Sequence, residues 1–214
     1  SAVLIALGLY IRLKITETPE FVKASKQEVD HKAVPLVHIF KEHKRSLAIG
    51  TFIGIATFGL FYLMTVFLAG WAITHLDFTQ DDFLIAQLYS IFFFAIMIPI
   101  SAYFADKYNP RKIIALASLT IIIFGLALSH IVMIETYGIF FGLSVGMLLM
   151  GFTYGPLGTL LSNLFPTKVR YTGSSLSFNL AGILGASFAP FIALWLADQY
   201  GFAYVGYYLA LLAL

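Results

Sequence analysis

The sequence predicts an all-α integral membrane protein, on three observations: an apolar surplus, charge-free stretches of spanning length, and basic residues confined to alternate connections. Hydrophobic residues make up 60% of the chain and charged residues 11%, with a mean hydropathy of +0.89. A chain of this kind has too little polar surface to cover itself in water, which excludes a soluble enzyme or binding module. There are 21 Phe and 12 Tyr but no Cys, so a disulfide framework, a cysteine-ligated zinc site and a thiol nucleophile are ruled out. The net charge of +2 is sharply segregated, which bears on membrane orientation and not on nucleic acid, so no nucleic-acid partner is expected.

Five uncharged stretches carry the spans: Ser46 to Leu76, Phe83 to Ala105, Ile113 to Ile134, Thr136 to Thr167 and Tyr171 to Ala197. A span takes about 20 apolar residues, because a helix rises about 1.5 Å per residue through a hydrocarbon core of about 30 Å. Helices are expected at 47–73, 80–105, 110–132, 137–164 and 174–197, with partial apolar runs at 2–11 and 202–214. Both partial runs are short for a span, and both ends of the chain read as cut. Thr79 with Asp82 forms a capping-box start, and Asn109-Pro110 is an N-cap followed by proline at the first helical position. Pro99, Pro156 and Pro190 fall within spans, where kinks are expected because each removes a backbone donor.

The long polar segment from Arg12 to Arg45 reads as a loop with helical pieces, one starting at Thr18-Pro19-Glu20. Its last part sets Leu36, Val37, Ile39 and Phe40 beside Lys41, Lys44 and Arg45, a pattern that suits either the lipid interface or a solvated connector. Basic residues occur in this segment, in Asp106 to Lys112, and in Phe165 to Arg170. The intervening connections carry Asp77, Asp81, Asp82, Glu135 and Asp198 instead. The positive-inside rule makes the first set cytoplasmic and the second external, as expected of a multi-pass protein of the plasma (inner) membrane.

No Asp, Glu, Lys or Arg lies mid-span, so neutral groups must carry any binding, and this region offers no obvious proton carrier. Phe58, Tyr62 and Thr65 share one helical face; Gly151, Tyr154, Gly155, Gly158 and Ser162 make a small-residue face; Ser175, Asn179, Gly182 and Ala186 make a third stripe. Candidate substrate-binding residues are Tyr62, Tyr154, Asn179 and Phe58, since a buried hydroxyl or amide needs a partner that either a polar cavity or a neighbouring helix supplies. The glycines at GxxxG spacing, Gly50 and Gly54 among them, read first as helix packing. His75 and His130 stand at span boundaries, where a structural role is the plainer reading.

Catalysis has little support. There is no HExxH pair and no P-loop, and the one GxSxG match, Gly142-Leu143-Ser144-Val145-Gly146, lies inside a span and not on a strand-to-helix turn. No cofactor, metal ligand set or catalytic residue is assigned.

Two motifs carry a family resemblance. Ala102-Tyr103-Phe104-Ala105-Asp106-Lys107-Tyr108-Asn109-Pro110-Arg111-Lys112 resembles the loop signature of the major facilitator superfamily, with Ala102 and Asn109 standing where that family favours glycine. Glu17-Thr18-Pro19-Glu20-Phe21, together with Phe165-Pro166-Thr167-Lys168-Val169-Arg170-Tyr171-Thr172-Gly173, resembles the metabolite:proton symporters within it. The resemblance implies the C-terminal six-helix repeat of a twelve-helix fold. Residues 1–11 would end helix six, 12–46 would be the cytoplasmic central loop, and 47–214 would hold helices seven to eleven and the start of twelve. It further implies alternating access around a midplane site, a partner N-terminal six-helix repeat, a proton as coupling ion, and a small organic acid or zwitterion as substrate. A structural or regulatory membrane protein of the same fold is the alternative. Asp106, Lys107, Arg111 and Arg170 are the expected cytoplasmic gate, with Asp106 latching onto free amides at Thr172 to Ser175 where the next helix begins; the equal alternative is that these charges only fix topology.

Overall fold

The computed structural model describes Ile5 and residues 7–11, 35–76 and 78–214, the side chains of Pro35, Glu135 and Thr136 excepted. The expected helix start at Thr18-Pro19-Glu20 lies outside the described residues. Among them there is no strand, and five helices are long and apolar enough to cross a membrane. A short helix α1 (Pro35–Glu42) leads into α2 (Lys44–His75), α3 (Gln80–Tyr108), α4 (Pro110–Val132), α5 (Glu135–Asn163), α6 (Arg170–Tyr200) and the shorter α7 (Ala203–Leu212).

Local chemistry sets the boundaries. Thr79 accepts from the Asp82 amide at 3.1 Å while the Asp82 carboxylate accepts from the Thr79 amide, so the expected capping box starts α3. Asn109 separates α3 from α4: its Oδ1 accepts from the Arg111 amide at 2.9 Å, and Pro110 takes the first helical position. Its φ is 157°, a backbone setting glycine reaches readily, which gives a reason for glycine at this place in related loops. Two starts come earlier than the sequence indicates. Helix α2 begins at Lys44, and α6 begins at Arg170, with the Gly173 amide already bonded to Val169 at 2.7 Å.

Helices α2 and α6 are not uniform. Each contains a π-helical turn, at Leu63–Phe67 and at Ile183–Ser187. The kink expected at Pro190 is realised just before it, where the π turn gives way at Phe188 and Pro190 enters the first turn of a new α-helical stretch, Ala189–Tyr200. Pro99 and Pro156 stay inside continuous helices.

Packing follows the small residues. A Cβ on Gly50 would meet the Ser177 hydroxyl at 2.8 Å, one on Gly54 would meet Ala181 at 2.6 Å, and one on Gly185 would meet the Ile55 carbonyl at 2.6 Å. Helices α2 and α6 therefore cross almost backbone to backbone, as apolar helices without a hydrophobic drive between them require. Gly151 does the same for α5 on α3, where a Cβ would lie 2.6 Å from the Phe94 carbonyl. That pair is fastened by Ser90 to Ser144 at 3.1 Å and by Ser101 to the Gly151 carbonyl at 3.1 Å. The hydroxyl of the GxSxG match is thus held in helix packing.

At one end of the bundle Ile39, Leu47, Phe165 and Val169 form a small buried cluster that seats α1 against the starts of α2 and α6. The main core joins Leu60, Met64, Ile121, Leu143 and Leu209, with Trp71 against Phe202 towards the other end. Basic Lys41, Lys44, Arg45 and Arg170 gather by the first cluster. Gly185→Ala is expected to lower stability by about 1–3 kcal/mol, because backbone atoms cannot yield to the added methyl. Gly70→Ala, with nothing within 4 Å, is expected to be neutral or stabilising; thermal unfolding of the two variants in detergent checks the contrast.

Candidate substrate cleft

The crossing of α2 and α6 leaves a cleft of about 340 Å³ beside it. Helix α2 contributes Phe58 and Tyr62, one turn apart; α6 contributes Phe178, Asn179 and Gly182, and its π turn adds Ile183, Ala186 and Ser187. The π turns matter to this lining. On α-helical spacing Thr65 would join Phe58 and Tyr62, but the π turn that starts at Leu63 changes the register, and Thr65 donates back to the Phe61 carbonyl at 2.7 Å.

Polar groups in the cleft are complementary. Asn179 donates from Nδ2 to the Ser175 carbonyl at 2.8 Å, which orients the amide and leaves its Oδ1 with no partner among the described residues. The Tyr62 hydroxyl likewise has none. A donor and an acceptor therefore stand among aromatic faces, with Phe58 and Phe178 in edge-to-face contact at 4.9 Å. Tyr154, grouped with these residues in sequence, is elsewhere: its ring packs on Phe94 of α3 at 5.8 Å, against the core. His75 stacks on Trp71 at 5.1 Å and His130 is exposed beside Ser129, and neither lines the cleft.

Phe178, which sequence reading passed over, also lines a second cleft of about 260 Å³, bounded by Gly158, Ser162, Tyr171, Ser174 and Ser175. Its ring is shared by the two spaces. The available signal was helical: Tyr171, Ser175, Phe178 and Gly182 recur every three or four residues on one face of α6. A larger recess of about 690 Å³ near the α3 start includes Asp82, whose carboxylate is already engaged by Thr79. Its other walls include Leu76, Ile85 and Phe140.

The expected gate residues lie at the ends of helices. Asp106 is exposed in the last turn of α3, Lys107 stands 5.5 Å from the Tyr108 ring centre, and Arg170 reaches the Phe165 carbonyl from Nε at 3.5 Å. Among the described residues no ion pair joins Asp106 to Arg111 or Arg170. The early start of α6 also places the amides from Gly173 onward inside the helix.

Comparison with known proteins decides the family. The family model described as Major Facilitator Superfamily matches residues 1–186. The chain belongs to the major facilitator superfamily. It is 41% identical over its whole length to the inner membrane metabolite transport protein YhjE of Escherichia coli (strain K12), and 39% identical over its whole length to a Haemophilus influenzae protein named for metabolite transport. It is 26% identical over 90% of its length to a proline/betaine transporter of Salmonella typhimurium. The chain spans 50%, 51% and 40% of these relatives respectively, as the C-terminal six-helix repeat of a twelve-helix fold would. All three carry the names of transporters, none of an enzyme. No solved structure matches.

Gly182 separates a binding role from a packing role, because the nearest atom to an added Cβ is Phe58 Cζ at 4.0 Å. Gly182→Ala is expected to be tolerated, whereas Gly182→Leu fills the cleft: thermal stability stays within about 0.5 kcal/mol while transport is lost, as unfolding and uptake measured on one preparation would show.

Proposed function

We propose that the chain supplies the C-terminal half of the pathway in a proton-coupled symporter of a small organic acid or zwitterion, working by alternating access. The cleft beside the α2–α6 crossing carries this reading, since it pairs the free Tyr62 hydroxyl and Asn179 carbonyl with the faces of Phe58 and Phe178. A carboxylate accepts from the tyrosine, an ammonium donates to the amide oxygen, and a quaternary ammonium rests on the aromatic rings. The neutral lining favours a zwitterion over a dianion, whose two charges would require cations nearby. The proline/betaine names among the relatives agree with that preference.

Charged side chains in the described spans are confined to their end turns, so the proton carrier belongs to the N-terminal repeat that completes the fold. The basic connections face the cytoplasm by the positive-inside rule. Asp106, unpaired with Arg111 and Arg170 here, meets a partner in another state of the cycle, and Lys107, Arg111 and Arg170 complete that gate.

Uptake by vesicles holding the protein expressed from its complete reading frame tests this. Labelled proline, betaine, 2-oxoglutarate, citrate and shikimate are offered with and without an inward proton gradient. Gradient-driven accumulation of a zwitterion is expected, reduced about tenfold or more by Asn179→Leu, the loss of one hydrogen bond to a charged group being about 1.5–3 kcal/mol. Uptake unaffected by Asn179→Leu and Tyr62→Phe would remove the cleft from the pathway, and transport and conformational balance unchanged in Asp106→Asn would remove the gate.

A further inference from the structure

Away from the cleft, α1 and the joint that follows it gather three ligating groups. His38 and Glu42 lie one turn apart on α1, with His38 Nδ1 and Glu42 Oε1 3.3 Å from one another. His43 follows at the break between α1 and α2, where φ −121° and ψ 22° leave the helical path. That break turns its ring back onto His38, edge to face at 5.4 Å. One ligand atom from each of the three residues lies within 4.8 Å of the others.

We propose that His38, Glu42 and His43 form a binding site for a borderline divalent cation, zinc being the best match. Zinc bonds of about 2.0–2.1 Å in a tetrahedron put ligand atoms about 3.3 Å apart. The His38–Glu42 edge already has that spacing, and the remaining edges close by side-chain rotation. Two imidazoles and a carboxylate leave the fourth position to water.

The backbone under the site is held in place. Ile39, fully buried, seats α1 against Leu47, Phe165 and Val169. The joint is bonded on both sides, from the His43 amide to the Ile39 carbonyl and from the Leu47 amide to the His43 carbonyl, each at 2.9 Å. An ion there ties α1 to the joint that opens the first described span.

The neighbours define what the site selects. Lys41, Lys44 and Arg45 lower its affinity for any cation. Magnesium and calcium, which need several oxygen ligands, find a single carboxylate. Zinc gains from both imidazoles, which hard cations do not.

Calorimetric titration with zinc chloride of the protein expressed from its complete reading frame, in detergent and without a histidine tag, tests the proposal. One zinc per chain is expected, with no heat from magnesium at the same concentration. His38→Ala and His43→Ala are each expected to weaken binding at least tenfold. Glu42→Gln, on a side chain 62% exposed and so free of folding effects, is expected to do the same. No zinc binding, equal binding of magnesium, or binding unchanged in Glu42→Gln would each overturn the site. None of these readouts depends on transport, so the site and the proposed function fail separately.

Discussion

The close approach of α2 and α6 sets both the packing seam and the wall of the cleft beside it. Lipid tails are as apolar as the helix surfaces, so burial alone does not bring two spans together, and contact must come from shape. Gly50 against Ser177, Gly54 against Ala181 and Gly185 against Ile55 supply it along one seam. Beside the seam, Phe58, Tyr62 and Asn179 line the cleft. A second consequence is polar: the Thr51 and Ser177 hydroxyls, both buried near this seam, have no hydrogen-bond partner among the described residues, a cost of about 1–3 kcal/mol each that tight packing must offset.

The π turns are the second half of that design. Each displaces the register of its helix by a fraction of a turn, so the residues before and after it no longer share a face. In α2 Thr65 falls inside the π turn and outside the cleft lining, and in α6 Ile183, Ala186 and Ser187 of the π turn stand on the cleft wall. Gly185 lies within the α6 π turn and makes the closest backbone approach to α2. Cleft wall and packing seam are thus adjacent faces of the same two helices.

Much of this was legible in the sequence because it rests on local chemistry. Charge-free lengths mark the spans, Thr79 with Asp82 and Asn109 with Pro110 mark helix starts, and the stripe of Asn179, Gly182 and Ala186 marks a cleft wall. What escaped reading is set by partners far away in the chain. The π turns carry no residue signature, Phe178 resembles any other span phenylalanine until its two cavities are seen, and Gly125 gains meaning only from Gly206, whose carbonyl would lie 2.7 Å from an added Cβ. Tyr154, a polar aromatic that the sequence groups with the cleft residues, packs against Phe94 instead of joining the cleft lining. Boundaries shifted by a few residues where a cap was backbone only, as at Val169.

A cleft that carries substrate beside the α2–α6 seam must be aqueous and not a lipid-facing groove. The described chain has no native cysteine, so single cysteines at Asn179, Ala186 and, as a control, Ile123 on the apolar outer stripe of α4 report directly on solvent access. In a background free of other cysteines, a charged membrane-impermeant thiol reagent is expected to modify Asn179→Cys and Ala186→Cys and to leave Ile123→Cys unreacted. If the two cleft positions were as inert as Ile123, the cleft would face lipid and could not carry a substrate.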